Sequence, residues 1–398
     1  MLSESVADSL RVSVLSASDG PALSAFYRAV WSSSDPAETD ASAAPASSAE
    51  TASDTATSTV PCPFSSDPPP VVGVYAGADL IGHLGSIPTQ FWDGQRGTGA
   101  HWLKGLMVLE QYRNGPIGYQ LVKEMMKQVA VTAVMTVAPA ARRLFQAVGF
   151  KDLGAVPNYV SVIRPTRVLR AIDVERLGLT SLPRALRTVL GLTRLPPVAW
   201  VGGGLAAVGL GLVDGANHLT CLGLRTRIAA TPPGVAETDA VWERLRTQLD
   251  LSPSRCGAYM EWRYAGHRPG RYEFIEVRRG SQLVALVVVR RPERVADPRL
   301  AGLRVGLVVD LVVDPTDTAA VTAAFLAARK WGKKASCDAV LLTLSHLGVG
   351  RLVKRLGFIK IPGNVHFMLR APVGAPITAP KDTGRSWLTR GDAWGDDI

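Results

Sequence analysis

The stretch LKGLMVLEQYRNGPIGYQLVKEM (103–125) is where residue types and spacing best suit chemistry. An apolar strand pattern runs into a short Arg-Asn-Gly-Pro turn, and a helical pattern begins at once. Backbone amides at a helix start lack intrahelical acceptors, and the positive end of the helix dipole lies among them. Such a junction can hold an anion, and Arg113 would add a guanidinium suited to phosphate. A plain β–α connection, which needs only one glycine, reads equally well from these residues. A second stretch, EWRYAGHRPGRYE (261–273), interleaves Trp262, Tyr264 and Tyr272 with Arg263, His267, Arg268 and Arg271. Aromatics with cations suit a sugar or a nucleotide, and they suit an amphipathic helix end running into a strand just as well.

Several other chemistries find no support. Cys62, Cys221, Cys256 and Cys337 lie far apart, no CxxC or HxxxH pair occurs, and the six histidines are scattered. No structural zinc or other metal site is expected, nor a disulfide framework, and a reducing cytoplasmic location fits. There is no GxSxG elbow and no GxxxxGK[ST] loop. Gly202-Gly203-Gly204-Leu205-Ala206-Ala207 matches GxGxxA, but the next acids, Asp214 and Glu237, are poorly placed for a ribose.

The elements that must position these residues follow from the hydrophobic patterning. The chain has 398 residues, 47% hydrophobic and 20% charged, enough for several packed domains. Residues 32–70 carry six acids and no Lys or Arg and are rich in Ser, Ala, Thr and Pro; they are expected to be disordered within a folded unit. The formal charge of +10 therefore leaves +16 on the rest, which favours anionic partners, though the cations form no tight runs and no specific nucleic-acid binding is expected. Before the insert, ALSAFYRAVW reads as a helix. After it come a hairpin around Gly77, the strand ending at the Arg113 turn, the helix IGYQLVKEMMKQV, the strand AVTAVMTV, the helix APAARRLFQAV and a closing strand NYVSVIRP.

The second half repeats that order: a hairpin around Gly280, the strand GLRVGLVVDLVVDP, the helix TAAVTAAFLAARKWGKK, the strand DAVLLTLS, the helix GVGRLVKRLGF and the strand HFMLRAP. LFQAVGF (144–150) and LVKRLGF (352–358) make the repeat visible. Between the halves, residues 164–197 carry seven arginines and two acids, and residues 198–213 carry no charge. Sixteen residues with five glycines make a poor membrane-spanning helix, so buried strands or a packed connector are expected, with weak peripheral membrane contact through 164–213 as the alternative.

The turn Arg113-Asn114-Gly115-Pro116-Ile117-Gly118 resembles the coenzyme A pyrophosphate loop of the GNAT acyltransferase superfamily, Arg/Gln-x-x-Gly-x-Gly/Ala. APAARRLFQAVGF looks like that family's later helix ending in Gly-Phe. EWRY, VVDLVVDP, LVKRLGF and WLTRGDAW (387–394) look like a second copy, a layout similar to tandem GNAT proteins associated with bacterial polysaccharide synthesis. The resemblance implies a mixed α/β (α+β) fold of two GNAT-like domains, each a mixed twisted sheet flanked by helices. It places one domain at 1–165, a connector at 166–234, a degenerate second domain at 235–372 and a tail at 373–398. It also implies acetyl-coenzyme A or another acyl-coenzyme A as co-substrate, with Val108, Arg113, Asn114, Gly115, Ile117, Gly118 and Tyr119 as coenzyme-binding positions.

The chain departs from the family pattern in three places. Pro116 removes one amide from the loop. Phe145 and Val353 occupy the position where the family often has a Tyr general acid, and neither can donate a proton. PTDTAAVTAAF (315–325) replaces the loop in the second half. The activity implied is N-acyl transfer, most simply of acetyl, to a primary amine on a small molecule or glycan precursor. A strand amide such as that of Val108 would hold the thioester oxygen. Glu110, Tyr159 and Asp310 are the candidates for handling the amine proton or holding the acceptor. Asp310, among valines, must face a cleft or be paired, because burying it alone is costly. An inactive acyl-coenzyme A sensor or scaffold and a tRNA-dependent aminoacyl transferase are the alternative readings.

Overall fold

The computed structural model describes residues 10–32, 60–113, 115–135, 137–171, 195–267, 269–294, 302–361 and 365–394. Residues 33–59, most of the acidic insert, lie outside them, as does Asn114. The described end of the insert, 60–70, is irregular, and Ser86 Oγ donates to its Pro70 carbonyl at 2.9 Å.

The chain divides into two compact units, neither contiguous in sequence. One comprises Met1–Gly154 and Val365–Lys381, the other Ala155–Asn364 and Asp382–Ile398. In the first, β1 (Leu10–Val14) leads to α1 (Gly20–Ser32), and β2 (Val72–Ala76), β3 (Asp79–Trp92) and β4 (Gly97–Val108) form a meander. Then follow α2 (Ile117–Gln128), β5 (Thr132–Met135), α3 (Pro139–Ala147) and β6 (Lys151–Ala155). The second holds β7 (Asn158–Val162), α4 (Pro165–Ala171), α5 (Pro196–His218), β8 (Leu224–Ala229), α6 (Val235–Arg246) and β9 (Ser252–Pro253). It continues with α7 (Gly257–Met260), β10 (Tyr272–Arg279), β11 (Gln282–Arg294), β12 (Arg304–Val313), α8 (Thr318–Lys334), β13 (Ala339–Thr343), α9 (Leu347–Arg355) and β14 (Ile359–Ile361). The final strand, β15 (His366–Arg370), returns to the first unit.

The two sheets follow one plan. The first runs β1-β2-β3-β4-β5-β15-β6 and the second β8-β10-β11-β12-β13-β7-β14. Each takes its sixth strand from the other half of the sequence: β15 pairs antiparallel with β5, and β7 pairs antiparallel with β13. This corrects the expectation that NYVSVIRP and HFMLRAP close their own halves, and with it the contiguous boundaries at 165 and 372. β8 and α5 also belong to the second unit rather than to a separate connector. The physical reason is that both strands are short and apolar, so each matches either slot locally.

Periodicity explains the helices that carry the first unit. Ile117, Leu121, Val122 and Met125 form the buried face of α2, packed with Val74, Ile81, Leu84 and Val134. At Gly82 of β3, a Cβ would come within 2.8 Å of Ile117 Cγ2, so that glycine lets α2 lie close on the sheet. In the second unit α8 is capped by Asp317, which accepts from the Ala320 amide.

The glycine-rich stretch was expected as strand or connector and is instead the 23-residue helix α5. Two prolines open it, where their missing amides cost nothing. Gly203 faces α4, and any Cβ there would collide with Thr166. Close helix–helix approach thus accounts for glycine at 203, while Gly204, Gly209 and Gly211 have no neighbour that requires one.

Candidate functional site

The β4–α2 junction is built from a splay between two parallel strands. β4 and β5 pair only at His101–Thr132 and Trp102–Ala133, after which β4 continues to Val108. The Leu109 amide donates to the Ile81 carbonyl on β3 at 3.0 Å. Amides alternate sides along a strand, so the Val108 N–H and carbonyl point the other way, to the β5 side. There Arg113 Nε donates to the Val108 carbonyl at 3.2 Å.

A one-residue bulge precedes this end of β4, where His83 opposes Met107 and Gly85 opposes Lys104. Gly105 takes φ +67° in it. His83 is buried beside Tyr27 and Phe26, and its Nδ1 lies 3.1 Å from the Gly105 carbonyl. Burial pushes the His83 pKa down to about 4, so the ring is neutral and Nδ1–H donates to that carbonyl.

The loop itself is exposed. Glu110, Gln111, Arg113, Gly115 and Pro116 all face solvent, after a single 3₁₀ turn over Glu110–Tyr112. Pro116 is the N-cap of α2, and no side chain caps the helix. The Gln120 amide is used by the Pro116 carbonyl at 2.9 Å. The amides of Ile117, Gly118 and Tyr119 therefore mark the uncapped start of a 12-residue helix, with Arg113 alongside. Gly118 has a packing reason too: a Cβ would lie 3.1 Å from Leu144 Cδ2 on α3.

The three proton-handling candidates do not gather here. Glu110 is in the loop. Tyr159 is on β7 in the second unit, buried, paired with Leu342 and Lys360, with its hydroxyl against Gly350. Burial raises its pKa. This corrects its placement in the closing strand of the first domain.

Asp310 belongs to the second unit as well, and of its two expected fates it takes the paired one. It is fully buried. Oδ1 accepts from Arg255 Nε at 2.7 Å, the Leu311 amide at 2.8 Å and Thr389 Oγ1 at 3.0 Å; Oδ2 accepts from the Tyr264 hydroxyl at 2.9 Å. Four donors from its own unit hold it at full burial, so it serves structure rather than acceptor binding as arranged. Arg255 is also fully buried, and it donates further to Ser252 Oγ, the Pro253 carbonyl, Thr389 Oγ1 and Asp392 Oδ2. Burial opposes its charge, and Asp310 and Asp392 outweigh that and raise its pKa. Burial pushes the Asp392 carboxyl up to about 6, against the lowering effect of Arg255.

The sheet of the second unit has a splay of its own, and its tail fills it. β12 and β13 pair in parallel from Val305–Ala339 to Val308–Leu342, and β12 then continues to Val313. Beyond that point the tail bonds to both edges. Gly391 N–H donates to the Val309 carbonyl at 2.8 Å, and Trp387 Nε1 to the Leu311 carbonyl at 2.8 Å. Ser345 N–H donates to the Leu388 carbonyl at 3.1 Å, and Thr389 bridges Leu344. The Leu311 amide is taken by Asp310. No equivalent of the Arg113 loop precedes α8, where Asp314 and Asp317 stand instead.

Sequence reasoning missed Arg255, Thr389 and Asp392 as one cluster. A lone Arg in SPSRCG and a tail more than a hundred residues on share no spacing that could join them. Phe145 and Val353, at the position where a tyrosine acid was sought, are both buried core residues. Among the described residues no group of His, Cys, Asp and Glu could hold a metal ion.

No protein-family model matches the chain, and no curated protein does. Its fold has counterparts among solved structures. A conserved Enterococcus faecalis protein, a probable N-acyltransferase, superposes with a TM-score of 0.52 at 9% identity, over 91% of this chain and 72% of that one. Saccharomyces cerevisiae N-myristoyltransferase, solved with bound myristoyl-CoA and inhibitors, gives 0.53 at 12% identity, over 95% of this chain and 85% of that one. The chain thus shares the mixed α+β, two-sheet fold of these two proteins.

Proposed function

We propose that the chain is an N-acyltransferase that takes an acyl group from acyl-coenzyme A through the β4–α2 junction of its first unit. The observation carrying this is the coincidence, at one splayed strand end, of an uncapped helix start, Arg113 and the outward Val108 amide. The helix amides and Arg113 would hold the pyrophosphate. On coenzyme binding Arg113 would exchange the Val108 carbonyl for phosphate. The Val108 amide would donate to the thioester oxygen as negative charge develops there. A neutral primary amine attacks the thioester carbon; the C–N bond forms, the C–S bond breaks, and coenzyme A leaves as a thiolate. The proton lost by nitrogen passes to Glu110 or to water at the loop and finally to the thiolate, which leaves as the free thiol. Alignment in a ternary complex supplies much of the remaining rate.

The second unit, its splay closed by its own tail and its Leu311 amide spent on Asp310, would bind no coenzyme, giving one site per chain. Acetyl is the simplest acyl group, and an amine on a small molecule or glycan precursor the favoured acceptor. A second reading, an acyl-coenzyme A sensor without turnover, is favoured by one observation: Phe145 and Val353 leave no proton donor on α3 or α9 at the expected position. Calorimetric titration with acetyl- and longer acyl-coenzyme A, followed by free-thiol release against a panel of amines, separates them. Binding with thiol release supports the enzyme, and binding without it supports the sensor.

A further inference from the structure

α5 is apolar on the face it turns to solvent. Trp200, Val201, Leu205, Val208 and Leu212 are each between 65% and 72% exposed. Positions 201, 205, 208 and 212 follow one helical stripe, and no charged residue occurs from Pro196 to Val213. Leu219 and Leu222 extend the exposed apolar surface past the helix end. The opposite stripe is tied to the second unit: Gly203 sits against Thr166, Leu210 against Gly357, and Asp214 pairs with Arg329 at 2.6 Å. These ties extend over about 16 Å at 1.5 Å per residue, so the helix lies along the unit. By length and composition Pro197–Cys221 could cross a membrane, but crossing would break every one of these ties.

Exposed cations lie on the elements that pack against α5. Arg167 and Arg170 of α4 are exposed, and Arg164 and Arg167 share the one carboxylate of Asp338 at 3.7 and 3.8 Å. Lys354 and Arg355 of α9, next to the Gly357 contact, and Lys333, near Asp214, are exposed as well. Two copies meeting through this face would bring like charges together, which is unfavourable. An anionic lipid surface matches both the stripe and the surrounding excess of cations.

We infer that α5 is an in-plane membrane anchor that seats the protein on an anionic bilayer surface. The apolar stripe sinks into the acyl boundary, Trp200 lies at the headgroup level, and the α4 and α9 cations meet the headgroups.

The test is flotation of the full-length chain with vesicles of phosphatidylcholine alone and of phosphatidylcholine mixed with phosphatidylglycerol. The wild type floats with the mixed vesicles, less at high salt, and weakly with the neutral ones. Leu205→Glu with Leu212→Glu lowers the partition coefficient about hundredfold, roughly tenfold per leucine, with an unchanged circular-dichroism melt. Arg167→Gln with Arg170→Gln lowers it about fivefold per charge on anionic vesicles only. Wild type that stays unbound to both vesicle types, or a double glutamate variant that floats as well as wild type, overturns the inference. A dimer on size exclusion that the glutamate variant converts to monomer, without flotation, would assign the face to a second copy and also overturn it.

Discussion

Replacing Arg255 by methionine should destabilise the second unit far more than any surface change. The side chain fits the space, but its five hydrogen-bond contacts go, including those to Asp310 and Asp392. Two fully buried carboxylates then remain without their cation. Breaking a buried pair on one side costs about 3–5 kcal/mol, mostly for the charge left behind. For a unit of this size that lowers the melting temperature by roughly 6–20 °C. Urea titration followed by tryptophan fluorescence is apt, because Trp387 is fully buried in the same tail. The deficit should narrow as pH falls. Asp392 already has its pKa raised to about 6 by burial, and losing Arg255 removes the largest influence that holds it down, leaving the Thr389 amide. The folded variant therefore binds more protons than folded wild type, and its relative stability rises from pH 8 toward pH 5. Coenzyme affinity at low temperature should not change, since the loop belongs to the first unit. A variant that melts within a couple of degrees of wild type, or a deficit independent of pH, would refute this account of Asp310 and its neighbours.

Three further outcomes are expected. Arg113→Ala should keep the wild-type melt and weaken acyl-coenzyme A binding about tenfold to 150-fold, read by calorimetry, since a hydrogen bond to a charged group contributes roughly 1.5–3 kcal/mol. The stability held by neutral, buried His83 should be present above pH 6.5 and lost as pH falls toward 4, because the unfolded chain binds the proton that the folded ring resists. Over that range the loss approaches ~3 kcal/mol, and denaturant midpoints for His83→Gln should lack that part of the acid sensitivity. Gly350→Ala should cost about 1–3 kcal/mol in thermal melts, because the new methyl would collide with the buried Tyr159 hydroxyl; an unchanged melt would count against Tyr159 as a core residue of the second unit.

Much of the architecture was legible because local chemistry decided it. The spacing in IGYQLVKEMMKQV and the alanine-rich run after Asp317 became α2 and α8, and Gly77 at φ +63° made the expected hairpin turn. The exchange of β7 and β15 was not legible, since NYVSV and HFMLR carry no local mark of which sheet they complete. The five glycines of 198–213 argue against a helix by propensity alone, and the tertiary approach that calls for one of them, at Gly203, is displayed by no window on the sequence. The Arg113 turn was visible because strand, turn and helix are contiguous. The fate of Asp310 was visible only as a choice between cleft and pair, because its partners Arg255 and Asp392 lie 55 positions before and 82 after it.

The most direct test of the central claim is calorimetric titration of the full chain with acetyl-coenzyme A beside the Arg113→Ala variant. Saturable binding with one site per chain and a loss of affinity in the variant are expected. Two sites per chain, no binding of any acyl-coenzyme A, or equal affinity in the variant would contradict the claim.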